Sequence, residues 1–552
     1  MRSILLFLAA AAFSLSSAQS PPTIANKEMD ALLAEHFEGA NAPGACILVS
    51  KAGQVIYRRA TGASDLAQPL ATDAIFRIGS ITKQFTAMAI LQLVQEGKLN
   101  LTDELQGHMD FPKKAWPITI EQLLTHTAGI PNYTDLPSFT PENYGKDVGL
   151  AEVIATFKDL PLEFEPGTKW SYSNSGYVLL GALVERISGM SWEMYMGEQF
   201  FGPLGMARSS ASSANGQLPG EALGYQKGEK GWERAAPLSM TWPHGAGAIR
   251  STVDDLFAWN TAVMTSKLVP AELLAKAHTD HKLNDGSATH YGYGWNFQNV
   301  QGSPTIEHNG GINGFTSASL YVPKEDIYVA VLCNAETNAA EALAPQLAAI
   351  AMGKPYAGAT TMDVPMEELK GFQGVYLSPD SVKRYITADE QGLHAQREGS
   401  TKRDLVCFAP DSFMYKGDVT TLTFRRQDGK VTGARLLSRS QDEPLVLTAL
   451  PLPVRTEVKL DAKVLKKYAG EFELKPGFSI TFRADGDKLF GKATGQPEFE
   501  LFAEGPNKFF LKVVDARIEF YPEANGSVKR MKLFQGGEME GKRIKRPKGS
   551  KP

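Results

Sequence analysis

Apolar and polar positions run along the chain in two rhythms, and the change between them falls near residue 353. Before it, strand-like and helix-like stretches are mixed. Residues 45–50 and 54–59 read as two strands joined by the turn Lys51-Ala52-Gly53. Residues 81–96 read as a helix, because Phe85, Met88, Ala89, Leu91 and Val94 recur at three- and four-residue spacing and Gly97 stops it. Residues 317–322 and 327–332 read as strands, followed by an Ala-rich helix around 341–352. Strands at both ends predict a sheet made from the two termini of this region, with helices and loops inserted between them.

From about residue 366 the helical period nearly vanishes, and short alternating strands are separated by turn residues. This part repeats itself. Leu369-Lys-Gly-Phe-Gln-Gly-Val-Tyr376 matches Leu465-Lys-Lys-Tyr-Ala-Gly-Glu-Phe472, and the same offset of 96 aligns Pro410, Phe413 and Phe424 with Pro506, Phe509 and Phe520. One offset held over separated blocks predicts two copies of a small β-barrel or β-sandwich, at 366–448 and 461–546, with the Pro-rich stretch 449–456 as linker. Long loops on such units suit the walls of a neighbouring cleft, and the Gly-rich stretch from Gly491 to Gly495 is one candidate.

A length of 552 residues exceeds one core and fits about three or four domains. The net charge of −4 gives no long-range pull toward nucleic acid, which excludes that partner class. At the start, Arg2, an apolar-rich run over 4–15 and the small residues Ser16-Ser17-Ala18 have the build of a secretory signal peptide over 1–18. The protein is therefore expected to be secreted or periplasmic. No later apolar stretch has the length to cross a bilayer, so no membrane span is expected after cleavage. Cys46 and Cys333 lie in strand-like runs and could neighbour each other in one sheet; the expectation is two buried thiols rather than a disulfide.

Ser80-Ile-Thr-Lys83 opens the helix read at 81–96. Positions three apart share a helix face, so the lysine amine can reach the serine hydroxyl, a weak nucleophile until a base takes its proton. Tyr172-Ser-Asn174 places a phenol and an amide two residues apart, expected on one side of a loop or short extended segment. His308-Asn-Gly310 is expected to open a strand-like stretch ending at Val322. His126 reads as part of a packed helix end, and His278 and His281 beside Asp280 read as solvated rather than metal-binding. Neither His-Glu-x-x-His nor Gly-x-Ser-x-Gly is present, and the motifs call for no metal and no cofactor.

In this order the three elements resemble the superfamily of serine β-lactamases and penicillin-binding D,D-peptidases. The similar branch holds class C β-lactamases, D,D-carboxypeptidases, D-aminopeptidases and related esterases. Supporting stretches are Leu123-Leu-Thr-His-Thr-Ala-Gly-Ile-Pro131, Gly245-Ala-Gly-Ala-Ile-Arg-Ser-Thr252 and Tyr291-Gly-Tyr-Gly-Trp295. The resemblance implies an α+β fold: a β-lactamase/transpeptidase-like domain over 28–355, its antiparallel sheet flanked by helices, then two small all-β barrel-like domains. A D-aminopeptidase architecture with two C-terminal β-barrels is similar to that layout. By the same resemblance Ser80 forms an acyl-enzyme and Lys83 and Tyr172 exchange the protons. Asn174, His308 and Gly310 orient substrate, and the backbone N–H groups of Ser80 and Gly311 form the oxyanion hole. Class C β-lactamases carry Lys at the position of His308, and a mostly neutral His holds an anion less strongly. The expected activity is thus that of an exported peptidase or amidase on small D-amino-acid or cell-wall-type peptides. A carboxylesterase of the same fold, a β-lactamase, or a slow-turnover penicillin-binding or sensor protein are the alternatives.

Overall fold

Six antiparallel strands gather the two ends of the first domain into one sheet: β1 (Ala45–Lys51), β2 (Gln54–Thr61), β3 (Asn296–Val300), β4 (Ser303–Ile312), β5 (Phe315–Val322) and β6 (Ile327–Cys333), in the order β2-β1-β6-β5-β4-β3. The computed structural model describes residues 24–211, 216–228, 230–356, 362–475, 478–494, 496–523 and 525–544; the leader read at 1–18 lies outside the described residues. The β1–β2 turn places Ala52 and Gly53 at φ 51° and 71°, the left-handed pair that matches the twist of a two-residue hairpin. β1 runs through the middle of the domain and buries both faces. Cys46 and Leu48 enter the core around α2 (Thr82–Gln95) and α3 (Asn174–Ser188), while Ala45, Ile47 and Val49 meet α1 (Ile24–His36) and α4 (Ala339–Met352) on the other side.

That alternation settles the thiols. Cys46 pairs with Leu332 across β1 and β6, and Cys333 pairs with Ala45. The two cysteines are one register step apart, so they point to opposite faces of the sheet, and both are buried and free.

Four local expectations change. α2 is buried on every side from Thr82 to Leu91, not along one stripe, because α3, the short helix His244–Gly247 and the helix Ala271–Ala277 all pack against it. Ser80 sits in a 3₁₀ turn, Gly79–Ile81, just ahead of α2. His308 lies in the middle of β4 and does not open a strand reaching Val322, since the chain reverses at Asn313-Gly314, where Gly314 has φ 82°. Asn174 is the first residue of α3; only the residues just before it are extended.

The two repeats are closed eight-stranded barrels, Gly374–Leu447 and Gly470–Ile544 in their outer strands, rather than sandwiches. The aligned aromatics are their interiors. Phe372 packs on Phe424 at 4.4 Å between ring centroids in the first, and Tyr468 on Phe520 at 4.5 Å in the second. Gly491 is not in a loop. It lies in the strand Lys488–Ala493, where a Cβ would press on Leu501 at 2.9 Å and Phe482 at 3.2 Å; Gly495 is outside the described residues.

The first barrel reaches the sheet through its turn at 438–441. Arg439 grips both carboxylate oxygens of Glu307 on β4, one at 3.0 Å, and its Nε donates to the Asn299 carbonyl on β3 at 3.0 Å. Glu307 is 2% exposed and Arg439 10%, so this ion pair is part of the interior.

Candidate active site

The sequence builds the floor of the cleft by forcing β4 against the turn that carries Ser80. Gly310 has no side chain, and a Cβ there would drive into the Ile78 carbonyl oxygen and the Ser317 hydroxyl. Gly79, at φ 50°, backs onto Gly311, whose carbonyl oxygen a Cβ would meet at 2.9 Å. The result leaves Gly311 exposed beside Ser80, with its backbone against the 3₁₀ turn.

Lys83 is fully buried, and its amine touches three oxygens: Asn174 Oδ1 at 2.8 Å, the Ala246 carbonyl at 2.8 Å and Ser80 Oγ at 3.2 Å. Burial pushes its pKa well below that of an ordinary lysine, and no carboxylate is among those partners. The geometry has a direct chemical meaning. Two of the three oxygens can only accept, so they hold two N–H groups; in the neutral amine the lone pair is left facing the Ser80 hydroxyl. The amide that holds Lys83 is itself held, as the Asn174 backbone N–H donates to Asn132 Oδ1 at 3.0 Å.

Tyr172 lies with its ring 4.7 Å from the Lys83 nitrogen, and its phenol hydrogen-bonds Ser80. Burial raises the phenol's pKa, partly offset by that bond, so it remains protonated at neutral pH. His126 packs its ring 4.3 Å from the Tyr172 ring. Its Nδ1 accepts the Ser173 N–H at 3.2 Å, and its carbonyl accepts the Ser171 N–H. His126 thus clamps the segment on both sides of Tyr172 from a left-handed backbone at φ 60°.

His308 is occupied at both nitrogens. Nδ1 lies 2.6 Å from the Asn309 carbonyl, which can only accept, so that nitrogen carries the proton. Nε2 therefore accepts from the Tyr291 hydroxyl at 3.0 Å. Burial, helped by the nearby Lys83, pushes the ring's pKa down to about 3, so it is neutral throughout the physiological range. The ring still lies 6.3 Å from that of Tyr172, which puts it in the wall of the cleft.

Ser80, Lys83, Tyr172, Asn174, His308, Gly310 and Gly311 are therefore brought together. His126, Tyr291 and the Ala246 carbonyl also belong to the site, one from each of the three supporting stretches, whose roles the residue pattern alone did not give. His278, His281 and Asp280 lie elsewhere, and among the described residues no group of three or more His, Cys, Asp or Glu side chains is arranged to hold a metal. No helix among the described residues is long and apolar enough to cross a membrane.

The chain is similar to known proteins. Protein flp of Staphylococcus aureus (strain MRSA252) is 28% identical over 56% of this chain, which spans 62% of flp's own length. Penicillin-binding protein 4* of Bacillus subtilis is 25% identical over 65% of this chain and 85% of its own. The octameric penicillin-binding protein homologue from Pyrococcus abyssi superposes with a TM-score of 0.55 at 26% identity, covering 76% of this chain and 99% of that one. A D-amino acid amidase from Ochrobactrum anthropi SV3, at 21% identity and a TM-score of 0.53 over 60% of this chain and 99% of its own, shares the fold. Residues 454–545 match a domain of unknown function, DUF3471. Residues 29–353, which hold the sheet, the helices and every side chain of the cleft, match the family described as Beta-lactamase, and the chain belongs to that family.

Proposed function

We propose that the protein is a serine hydrolase that works through an acyl-enzyme on Ser80. The observation that carries this reading is the uncharged setting of Lys83: a buried amine with two N–H groups held by carbonyl oxygens and its third direction on Ser80 Oγ. Lys83 then takes the Ser80 proton as Oγ bonds to the substrate carbonyl carbon, and the N–H groups of Ser80 and Gly311 receive the oxyanion. Tyr172 gives its proton to the leaving group and regains one from the Lys83 ammonium. Water, activated in reverse through the same pair, releases the acyl group.

For substrate, the reading is a small peptide or amide of D-amino-acid or cell-wall type, met outside the cytoplasm by way of the leader at 1–18. Neutral His308 has no cation to offer a substrate carboxylate, which disfavours efficient β-lactam hydrolysis. A fluorophosphonate probe should label the peptide containing Ser80 in the native chain and leave Ser80→Ala unlabelled. Turnover of a D-amino-acid amide beside a small neutral ester then separates the amidase from an esterase of the same fold. Labelling that survives in Ser80→Ala would discard the mechanism.

A further inference from the structure

The two barrels share more than an aromatic interior. Each has a cavity at its mouth, and the offset of 96 carries the lining of one onto the other. Val382, Arg384, Arg397, Arg403, Tyr415 and Thr420 of the first become Phe478, Ile480, Ala493, Phe499, Leu511 and Ala516 of the second. The cavities differ in size as well, at about 370 Å³ in the first barrel and 80 Å³ in the second.

Strand register shows that the arginines point inward. Arg384 and Arg397 face each other across the strands Lys383–Asp389 and Gly392–Arg397, two residues beyond the facing pair Ile386 and Ala395 in the barrel core. Arg403 stands two residues before Leu405, which is in the same core. Side chains two apart share a face, so all three guanidiniums extend the inward rows up to the rim.

Like charges directly opposite on neighbouring strands destabilise a sheet. In the second barrel the same register places Ile480 opposite Ala493, so this barrel closes without any cation at these positions. The arginines of the first are therefore not a requirement of the fold. Their carboxylate partners within the chain are incomplete. Arg403 meets Asp418 at 3.0 Å, but Glu443 reaches Arg384 only at 3.6 Å. Arg384 Nε is buried without a hydrogen-bond partner, and Arg397 forms no ion pair, both among the described residues. Hydroxyls of Ser400, Thr401 and Ser438 lie on the rim, which also carries the carboxylates Asp380 and Glu443; the Ser378 hydroxyl is spent on Asp380 and the Val382 carbonyl.

We infer that the mouth of the first barrel is a binding site for a small oxyanion, a carboxylate or a phosphate, held between Arg384, Arg397 and Arg403. A planar guanidinium pairs bidentately with either group, and hydroxyls supply the remaining donors. The site shares Arg403, Thr420 and Ser438 with a cleft of about 590 Å³ between this barrel and α4, which gives the ligand a path in from the domain seam.

The test is calorimetric titration of the full chain, at constant ionic strength, with inorganic phosphate and separately with N-acetylglycine. The second repeat supplies the variant: Arg384→Ile, Arg397→Ala and Arg403→Phe together install side chains that the sister barrel already tolerates. The native chain should bind one anion per molecule, with the tighter of the two identifying the group, and the triple variant should bind at least about tenfold more weakly. Arg397→Gln alone should weaken binding several-fold and carries the test if the triple variant does not fold. Equal binding by native and variant chains, or no saturable binding of either anion by the native chain, would overturn the inference.

Discussion

The cleft at Ser80 and the seam between the sheet and the first barrel each bury a basic side chain, and they treat it oppositely. Lys83 has amide, carbonyl and hydroxyl oxygens around it and no counter-charge, so burial drives it toward the neutral amine. Arg439 is enclosed nearly as fully but meets Glu307 through two parallel hydrogen bonds, and a guanidinium cannot give up its proton in any case. Removing charge from water is costly in both places. In the proposed mechanism one site relieves that cost by giving up a proton and becomes the base; the other relieves it by pairing and becomes a joint. What separates catalysis from architecture here is the presence of one carboxylate.

Giving Lys83 the carboxylate it lacks is the strongest way to break that contrast. Asn174→Asp changes an oxygen 2.8 Å from the amine into an anion with almost no change in shape. Opposite charge favours the ammonium, so the acid limb of the pH profile of kcat/KM should move toward higher pH. A displacement of about two pH units would lower activity by up to about 100-fold on the acid side of the limb, with recovery in alkali. An acid limb that stays in place in Asn174→Asp, whatever the rate, would show that Lys83 is not the base.

The converse change removes the partner at the seam. Arg439→Met leaves Glu307 buried and unpaired and should cost about 3–5 kcal/mol in denaturant unfolding, while adding Glu307→Gln should recover most of it. Because Glu307 precedes His308 on β4, the single variant should also lose hydrolytic rate as the strand shifts beside Ser80. A chain ending after α4 lacks Arg439 but opens Glu307 to water, so it should lose less stability than Arg439→Met while losing the same support beside Ser80. If that shortened chain unfolds and turns over substrate like the full one, the barrel is only a spacer.

What could be read from the sequence follows the range of the forces involved. Ser80 and Lys83 are legible because a three-residue spacing on a helix is itself a contact. The repeats are legible because Phe413, Phe424, Phe509 and Phe520 fill barrel interiors, where volume is constrained. Their mouths have diverged, so the arginines give no repeat signal at all. Gly491 looked like a loop because a glycine suits a turn; its actual reason, room for Leu501 and Phe482, exists only once the barrel closes. Asn174 opening α3 was hidden for a similar reason, since the cap depends on Asn132, 42 residues earlier. Glu307 and Arg439 lie 132 residues apart, and nothing local to either names the other.

The smallest expected effect concerns a third kind of buried base, one kept neutral in a structural role. His308 faces Lys83, His126, Tyr172 and Tyr291, and its pKa is pushed down to about 3 from the ordinary 6.5; His278 is pushed to about 4, and His126 is lowered too. In each case the unfolded chain binds the proton more readily than the folded one. The stability these rings contribute is therefore complete above pH 6.5 and is lost as pH falls through the window down to the folded values. Each ring adds at most about 1.4 kcal/mol per pH unit to that slope. His308→Gln removes one titrating ring while keeping a donor and an acceptor, so the fall in unfolding free energy between pH 6.5 and 4 should become shallower by one histidine's share. The same variant should leave the ratio of kcat/KM for carboxylate-bearing and neutral substrates unchanged, because His308 spends both nitrogens on Tyr291 and Asn309. A ratio that moves would make His308 a substrate contact and would place it with Lys83 among the working groups of the cleft.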